Sequence, residues 1–319
     1  MKFSITIPAY KSQFLDEAIR SVLCQSYADW ELIIVDDCSP EDLETIVRPY
    51  LSDKRINYYR NEKNCGAVHV VDNWNKCLSH CMGDYVICMG DDDRMLSCCL
   101  EEYLQLIEKY PHLNVYHCRT EIINEKGEVF CRQEPRPEWE TALSLLWHRW
   151  ADRDKQFIGD FCYQTTYLKQ NGGYYKLPLA WGSDDVTSFL AAKEKGIANT
   201  QVFCFQYREN ALTISNSSVY ARIKLETQIN MYQWYQQQLT SLATSPLSAS
   251  DKRLLETINT ARAKYYTKTI GRNCVDYIEG SLSRLAYCYR TLRLFHFPKW
   301  RFLKWYVSSI YYLLKRAIS

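Results

Sequence analysis

Short apolar runs alternate with stretches of helical period along the first 120 residues. The runs predict five β-strands: Phe3–Pro8, Glu31–Asp37, Arg55–Arg60, Tyr85–Met89 and Asn114–Arg119. After the first run, apolar residues recur with the spacing of one helix face: Leu15, Ala18, Ile19, Val22 and Leu23. Further helices are predicted after a cap at Ser39, over Val68–Cys81 and over Ser97–Tyr110. This alternation predicts an α/β fold with a mostly parallel sheet and helices on both faces.

The rhythm changes beyond residue 120. A hairpin is predicted around Gly127, followed by a helix over Glu138–Trp150 and a late strand over Thr200–Tyr207. After Ser215 the chain is predicted to be helical, interrupted by a Ser/Thr-rich linker over Thr240–Asp251. We therefore expect a first domain of residues 1–215 and a helical C-terminal region of residues 216–319.

Polar residues follow three of the predicted strands directly. They are Pro8–Tyr10, Asp36–Asp37 and Asp91–Asp93. Because ligands of parallel sheets bind at the carboxyl ends of the strands, these residues are expected to line one crevice. Two like charges ~4 Å apart repel by roughly 4 kcal/mol at an effective dielectric constant near 20. A divalent cation and a bound diphosphate would offset the repulsion within the acidic run.

Composition and charge are those of a globular protein that does not bind nucleic acid. The chain has 47% hydrophobic and 24% charged residues, and a net charge of +2. The charge is unevenly distributed, because the sequence from Arg284 onward contains eight basic residues and no Asp or Glu. The preceding 283 residues therefore carry a net charge of −6.

The fourteen cysteines lie mostly in apolar runs and form no CxxC pair. We interpret them as small buried hydrophobic residues rather than metal ligands. The first residues, MKFSITIPAY, start as a strand and lack the pattern of a signal peptide, so we expect a reducing, cytoplasmic environment. No apolar run reaches the ~18 residues of a spanning helix.

The turn after the first strand, in SITIPAYKSQF, contains no glycine. Dinucleotide-binding proteins and sugar-phosphate nucleotidyltransferases need a glycine-rich phosphate loop there, so both are disfavoured. Three segments instead carry a resemblance: PAY, AIRSVLCQSYADWELIIVDDCSPED and GDYVICMGDDD. With them the first 120 residues resemble the inverting family-two glycosyltransferases of the GT-A fold, and scattered motifs extend the resemblance to about residue 215.

The resemblance implies roles for specific residues. Asp37 matches the carboxylate that binds the uracil ring, with Pro8 and Tyr10 beside the base. Asp92 matches the metal-binding carboxylate of the D-x-D motif, Asp91 stands where a ribose or metal contact is expected, and Asp93 is a second metal candidate. The family's usual first Asp is Gly90 here, so the motif is shifted. A histidine that some members place near the diphosphate is also missing, and Arg208 is the candidate to contact phosphate instead.

An acidic pair in WGSDDVTSFL matches the position of the family's general base. The resemblance assigns the base to Asp185, with Asp184 beside it, because inversion requires a group that deprotonates the acceptor hydroxyl. The alternative is that both residues cap a helix that starts near Val186. We favour catalysis, and one residue could do both. Gly172 and Gly173 precede the pair and belong either to an acceptor-side loop or to an ordinary turn.

The resemblance predicts a hexosyltransferase whose donor is a nucleotide-sugar, with a UDP-sugar expected. It also predicts Mg²⁺ or Mn²⁺ as the metal ion. Its acceptor would be a hydroxyl of a glycan or of a lipid-linked oligosaccharide. The alternative is a catalytically inactive nucleotide-sugar-binding or scaffolding protein. The segment FPKWRFLKWYVSSIYYLLKRAIS is basic and aromatic, and either contacts the inner face of the membrane peripherally or packs on the catalytic domain.

Overall fold

The chain divides into two compact units, Met1–Asn210 and Ala211–Ser319. The computed structural model describes residues 1–151, 155–210, 218–244 and 247–318. The predicted domain boundary after Ser215 lies outside the described residues.

The first unit is built on a ten-stranded mixed sheet. Its strands are β1 (Phe3–Ala9), β2 (Trp30–Asp36), β3 (Ile56–Arg60), β4 (Tyr85–Cys88), β5 (Arg94–Met95), β6 (Val115–Ile123), β7 (Val129–Arg132), β8 (Trp139–Glu140), β9 (Phe161–Gln164) and β10 (Ile197–Arg208). The strand order is β3-β2-β1-β4-β9-β6-β10-β5, with β7 paired to β6 and β8 to β10. The predicted α/β class is confirmed.

The sheet is less parallel than the sequence pattern suggests. Strands β3, β2, β1 and β4 run parallel, and so do β6 and β10. Strand β9 is inserted between β4 and β6 and runs antiparallel to both. Its sequence lies beyond the strand–helix alternation of the first 120 residues, which is why the alternation did not reveal it.

The described residues of the first unit form seven α-helices: α1 (Leu15–Leu23), α2 (Leu43–Val47), α3 (Val70–His80), α4 (Cys99–Lys109), α5 (Ala142–Trp150), α6 (Thr165–Gln170) and α7 (Ser183–Ala192). Helix α1 buries Leu15, Ala18, Ile19 and Val22, the face that its periodicity predicts. All seven residues of β2 are buried, as expected for a strand covered on both sides. Both elements contribute to one hydrophobic core with β1 and α4.

The predicted cap of the second helix is wrong. Helix α2 begins at Leu43, and the side chain of Asp42 accepts a hydrogen bond from the backbone N–H of Thr45 (3.1 Å). Ser39 instead donates its hydroxyl to the carbonyl oxygen of Tyr10 (2.6 Å). Ser39 therefore links the turn after β2 to the turn after β1, and it lies four residues before the start of α2.

The second unit is helical. Its described residues form α8 (Ala221–Ala243), α9 (Ala249–Ile278), α10 (Leu282–Thr291) and α11 (Lys299–Ile318). Helix covers both ends of the predicted linker, because α8 extends to Ala243 and α9 starts at Ala249, where Ser248 caps it. Within the described part of the chain, no helix is both long and apolar enough to cross a bilayer.

A buried carboxylate fastens the amino ends of the central strands. Oε1 of Glu31 accepts hydrogen bonds from the Ser4 hydroxyl (2.6 Å) and from the backbone N–H groups of Met82 (2.6 Å) and Gly83 (3.1 Å). Lys2 pairs with its second oxygen at 3.0 Å. Burial alone would raise the pKa of Glu31, but these donors outweigh burial and the pKa is lowered.

We expect Glu31→Gln to lower the free energy of unfolding by about 1–3 kcal/mol at neutral pH, because a charged acceptor of several donors is lost. Since the folded-state pKa lies below the unfolded value, this stabilisation is complete above the unfolded pKa and disappears as the pH falls through the folded pKa. Urea denaturation at neutral and acidic pH measures the difference. A loss of equal size at both pH values would contradict this account, and the exposed Glu108→Gln is the control.

Candidate active site

The three predicted strand ends meet in the structure. The backbone N–H of Asp37 donates to the carbonyl oxygen of Ala9 (2.9 Å). The backbone N–H groups of Tyr10 and Lys11 both donate to Oδ2 of Asp91, each at 2.7 Å. The ends of β1, β2 and β4 are thus hydrogen-bonded to one another, as expected for polar residues at the carboxyl edge of a parallel sheet.

The carboxylate of Asp37 lies at this edge and is held in place by hydrogen bonds. Its Oδ1 accepts from the side-chain amide of Asn61 (2.8 Å), and the backbone N–H of Cys65 reaches both oxygens (3.0 and 3.1 Å). The side chain of Tyr10 is 45% exposed, so its ring can contact a ligand. A carboxylate has about four lone-pair positions, so Asp37 can still accept a hydrogen bond from a ligand N–H.

The neighbouring Asp36 has a different role, because it is fully buried within the protein. It accepts hydrogen bonds from the Tyr58 hydroxyl (2.7 Å), from the Ser39 backbone (2.7 Å) and from Arg60. Burial and the hydrogen bond to Asp36 raise the pKa of Tyr58 to about 12. Asp36 therefore supports the turn that carries Asp37.

The acidic run divides into two buried carboxylates and one more accessible carboxylate. Asp93 accepts hydrogen bonds from the backbone N–H groups of Gly90 (3.1 Å) and Arg208 (2.9 Å), one on each oxygen. Burial, and then the charge of Asp92, raise the pKa of Asp93 well above its usual value. The same two causes raise the pKa of Asp91 to about 6. Asp91 and Asp93 thus shape the loop by accepting backbone hydrogen bonds.

The carboxylate of Asp92 contacts the side chains of Asn210 and Lys11. Its Oδ2 accepts from the amide of Asn210 (2.8 Å) and lies 3.7 Å from Nζ of Lys11. Asp92 is partly exposed, whereas Asp91 and Asp93 are buried. Lys11 and Asn210 were not among the predicted site residues, although Lys11 lies in SITIPAYKSQF and Asn210 lies with Arg208 in QYREN.

Arg208 is buried and supports the acidic loop. Its Nε donates to the backbone carbonyl of Asp92 (2.8 Å), and Nη2 donates to Oε2 of Glu17 (2.7 Å). Its Nη1 lies 3.2 Å from the carbonyl oxygens of Asn124 and Glu125. All three guanidinium nitrogens therefore bind acceptors within the protein. The structure does not support the expected contact of Arg208 with phosphate.

Asp184 and Asp185 lie in the first turn of α7. The helix starts at Ser183, three residues earlier than expected, and its N-cap residue is Gly182. Oδ1 of Asp185 accepts from Nε of Arg149 on α5 (2.7 Å). Burial, followed by the charge of Asp185, raises the pKa of Asp184. Oδ1 of Asp184 accepts a hydrogen bond from the backbone N–H of Asp185 (2.9 Å), so this carboxylate satisfies a donor in the first turn of the helix, as the alternative interpretation expects. Both carboxylates lie at a helix end that favours negative charge.

Electrostatic interactions link the acidic pair to the acidic run. The charge of the buried Asp160 is among the causes that raise the pKa of both Asp93 and Asp184. Asp160 is held by hydrogen bonds from Thr120 (2.6 Å) and from Gln133 (2.8 Å). Sequence reasoning missed Asp160, because an aspartate in IGDFCYQ carries no motif that separates it from an ordinary turn residue.

The glycines ahead of α7 belong to a loop beside a cavity. Both Gly172 and Gly173 have positive φ angles (+85° and +83°), and a Cβ on Gly173 would lie 2.1 Å from Oδ1 of Asn75. The cavity next to this loop has a volume of about 190 Å³ and is lined by aromatic and polar side chains that include Tyr167, Tyr175 and Lys176.

The fit of the acidic run to a divalent metal ion rests on Asp92. Among the side chains that the structure describes, no three His, Cys, Asp or Glu are grouped to hold a metal ion. Mg²⁺ is usually bound by one or two carboxylates together with substrate phosphates, and not by a complete protein cage. A single accessible carboxylate therefore fits such an ion, provided that phosphate oxygens complete its coordination.

Residues 4–166 match the sequence family described as Glycosyl transferase family 2. Among curated proteins, the chain is 38% identical over 134 residues to "Putative colanic acid biosynthesis glycosyl transferase WcaA" of Escherichia coli (strain K12). The match covers 40% of this chain and 47% of that protein. The chain spans less than half the length of the first curated relatives that it matches.

Solved structures that share the fold include two that hold a nucleotide-sugar. S. aureus TarS 1–349 in complex with UDP-GlcNAc superposes with a TM-score of 0.64 at 17% identity, over 96% of this chain and 89% of that chain. The mannosyltransferase PcManGT from Pyrobaculum calidifontis, in complex with GDP-Man and Mn²⁺, gives a TM-score of 0.50 at 15% identity. It covers 99% of this chain and 86% of that chain.

Substitutions at Asp91 separate its charge from its hydrogen bonds. Both backbone donors use the same oxygen, Oδ2, so Asp91→Asn can keep both bonds whereas Asp91→Ala loses them. We expect Asp91→Ala to lower the free energy of unfolding by about 1–3 kcal/mol and Asp91→Asn to lower it less. Thermal unfolding of the two variants measures this difference. Equal losses would show that the two hydrogen bonds do not hold the turn.

Proposed function

Because the chain belongs to glycosyl transferase family 2, we propose that it transfers a sugar from a nucleotide diphosphate donor to a hydroxyl group, with inversion at the anomeric carbon. The donor is a UDP-sugar, and the acceptor is a glycan or a lipid-linked oligosaccharide. The observation that carries the proposal is the joined edge of β1, β2 and β4. There Asp37, Asp91 and Asp92 lie in the family-matched region and at the end of a parallel sheet.

The nucleotide would lie against the ends of β1 and β2. Asp37 accepts the N–H of the uracil ring, and Pro8 and Tyr10 lie beside the base. Asp91 contributes by holding the backbone of Tyr10 and Lys11 in place. The complexes of TarS with UDP-GlcNAc and of PcManGT with GDP-Man support a nucleotide-sugar donor for this fold.

Asp92 would hold Mg²⁺ or Mn²⁺, with Asp93 as the second carboxylate of the predicted metal site. When bound, the cation supplies charge stabilisation to the departing diphosphate. Asp92 is favoured as the direct ligand because its carboxylate is the more accessible, whereas both oxygens of Asp93 already accept backbone hydrogen bonds. Lys11 lies beside Asp92 and can turn toward phosphate oxygens.

Asp185 would act as the general base. Nε of Arg149 donates a hydrogen bond to Oδ1 of Asp185 (2.7 Å) and orients this carboxylate at the start of α7. A carboxylate held in this way can accept the proton of the acceptor hydroxyl. Asp184, whose pKa is raised, lies beside it at the start of α7. The cavity next to Gly172 and Gly173 is the candidate site for part of the acceptor. A relative named for colanic acid biosynthesis supports a polysaccharide product.

Calorimetric titration of UDP and GDP, with and without Mn²⁺, tests the donor site. We expect UDP binding that Mn²⁺ strengthens, and we expect Asp92→Asn to abolish the Mn²⁺-dependent part because the direct ligand is lost. The exposed Asp29→Asn is the matched control and should bind as the wild type does. Nucleotide binding that is unaffected by both Mn²⁺ and Asp92→Asn would rule out the metal role of Asp92.

Turnover tests the base. We expect Asp185→Asn to lower the rate of sugar transfer by about 10²–10⁴-fold, because general base catalysis typically contributes that much. UDP affinity should be unchanged, and Glu194→Gln, an exposed carboxylate just beyond α7, should retain full activity. Donor binding without turnover in the wild-type protein, across a panel of UDP-sugars and acceptor glycans, would favour the alternative of an inactive nucleotide-sugar-binding or scaffolding protein.

A further inference from the structure

Helix α11 has two apolar faces, and one of them is covered. Phe302, Trp305 and Ser309 are buried on its inner face. The hydroxyl of Ser309 accepts a hydrogen bond from the backbone N–H of Gly280 (3.1 Å). Gly271 of α9 permits this packing, because a Cβ at that position would lie 2.9 Å from Nε1 of Trp305. The inner face therefore accounts for how α11 is attached within the second unit.

The other face is an exposed apolar stripe. It consists of Trp300 (59% exposed), Leu303 (63%), Val307 (57%), Ile310 (36%), Tyr311 (61%) and Leu314 (60%), called here the outer stripe. At 3.6 residues per turn these positions fall within about 100° of arc. They extend along about 21 Å of the helix at 1.5 Å per residue. A continuous exposed apolar surface of this kind marks an interaction site.

Lysines border the outer stripe on both sides. Lys299 lies along one margin, and Lys304 and Lys315 lie along the other, all with exposed side chains. The sequence contains no Asp or Glu from Arg284 to its last residue, so no acidic side chain of α10 or α11 neutralises them. The ligand of this surface must therefore be apolar in its centre and negatively charged at its edges.

This charge pattern decides between two occupants. If two copies of the chain paired through α11, the lysine margins of both helices would meet with no carboxylate between them, and like charges at contact distance repel. An anionic lipid bilayer provides an apolar layer beneath negatively charged headgroups, which matches the stripe and its margins. Trp300 and Tyr311 also suit the interface between headgroups and acyl chains.

We propose that the outer stripe of α11 docks on the surface of an anionic lipid bilayer, with the helix lying parallel to the membrane plane. Trp300, Leu303, Val307 and Leu314 enter the boundary between headgroups and acyl chains, and Lys299, Lys304 and Lys315 contact the headgroups. The contact is peripheral, in keeping with the finding that no described helix could span a membrane. The inner face remains packed on α9 throughout.

The test is co-sedimentation of the full chain with vesicles of phosphatidylcholine alone and of phosphatidylcholine mixed with phosphatidylglycerol. We expect binding to the mixed vesicles that weakens with added salt, since headgroup attraction is screened. The double variant Leu303→Glu, Val307→Glu should lower the partition coefficient by about tenfold or more, because two apolar contacts are replaced by charges that the headgroups repel. Both residues are exposed, so the fold should be retained.

A matched variant controls for added charge. Phe130→Glu with Val202→Glu changes two exposed apolar residues of the first unit, and it should bind vesicles as the wild type does. Replacing Lys299, Lys304 and Lys315 by Gln should remove the preference for phosphatidylglycerol. Equal binding by wild type and by the Leu303/Val307 double variant would overturn the proposal, and so would a lack of vesicle binding by the wild type.

Size-exclusion chromatography with light scattering addresses the other occupant. A dimer that Leu303→Glu, Val307→Glu converts to a monomer, without vesicle binding by the wild type, would overturn the bilayer in favour of a second copy. UDP titration of the same variants keeps the result separate from the proposed activity, because α11 holds none of the residues assigned to the nucleotide. The two measurements can thus fail independently: a failure of vesicle binding would concern α11 alone, and a failure of UDP binding would concern the proposed activity alone.

Discussion

The candidate site depends on one pair of hydrogen bonds, from the backbone N–H groups of Tyr10 and Lys11 to a single oxygen of Asp91. They join the turn after β1 to the loop after β4, and Ser39 and Asp37 extend the connection to the turn after β2. The arrangement answers the electrostatic problem of three consecutive aspartates. Backbone donors hold Asp91 and Asp93 in place, and burial raises the pKa of both carboxyl groups and so disfavours their charged forms. Asp92 is the most accessible of the three.

The sequence could predict this edge because each part is local. Apolar runs located the strands, and the rule that ligands bind at the carboxyl ends of parallel strands brought together Pro8–Tyr10, Asp36–Asp37 and Asp91–Asp93. Family motifs then suggested that the carboxylate of Asp37 binds a base and that of Asp92 binds a metal. The hydrogen bonds among the three turns are consistent with the predicted crevice, while the roles of the individual residues remain the proposals stated above.

The parts that escaped prediction depend on contacts between distant segments. Arg208 looked like a phosphate ligand in QYREN, yet folding places its guanidinium group against Glu17 and the carbonyl of Asp92, which lie 191 and 116 residues away in sequence. Arg149 and Asp160 had no motif, and only the fold brings their charges near Asp184, Asp185 and Asp93. For α11, the sequence left membrane contact and packing on the catalytic domain as the two alternatives. The structure shows that one face packs on α9 while another is exposed.

The central claim is that a nucleotide and a metal ion bind where β1, β2 and β4 end. A crystal structure of the chain with UDP and Mn²⁺, with anomalous scattering used to locate the ion, tests it most directly. The account predicts the Mn²⁺ peak beside the carboxylate of Asp92, and the uracil ring next to Asp37 and Tyr10. A nucleotide bound elsewhere, or a Mn²⁺ ion away from Asp92, would contradict it.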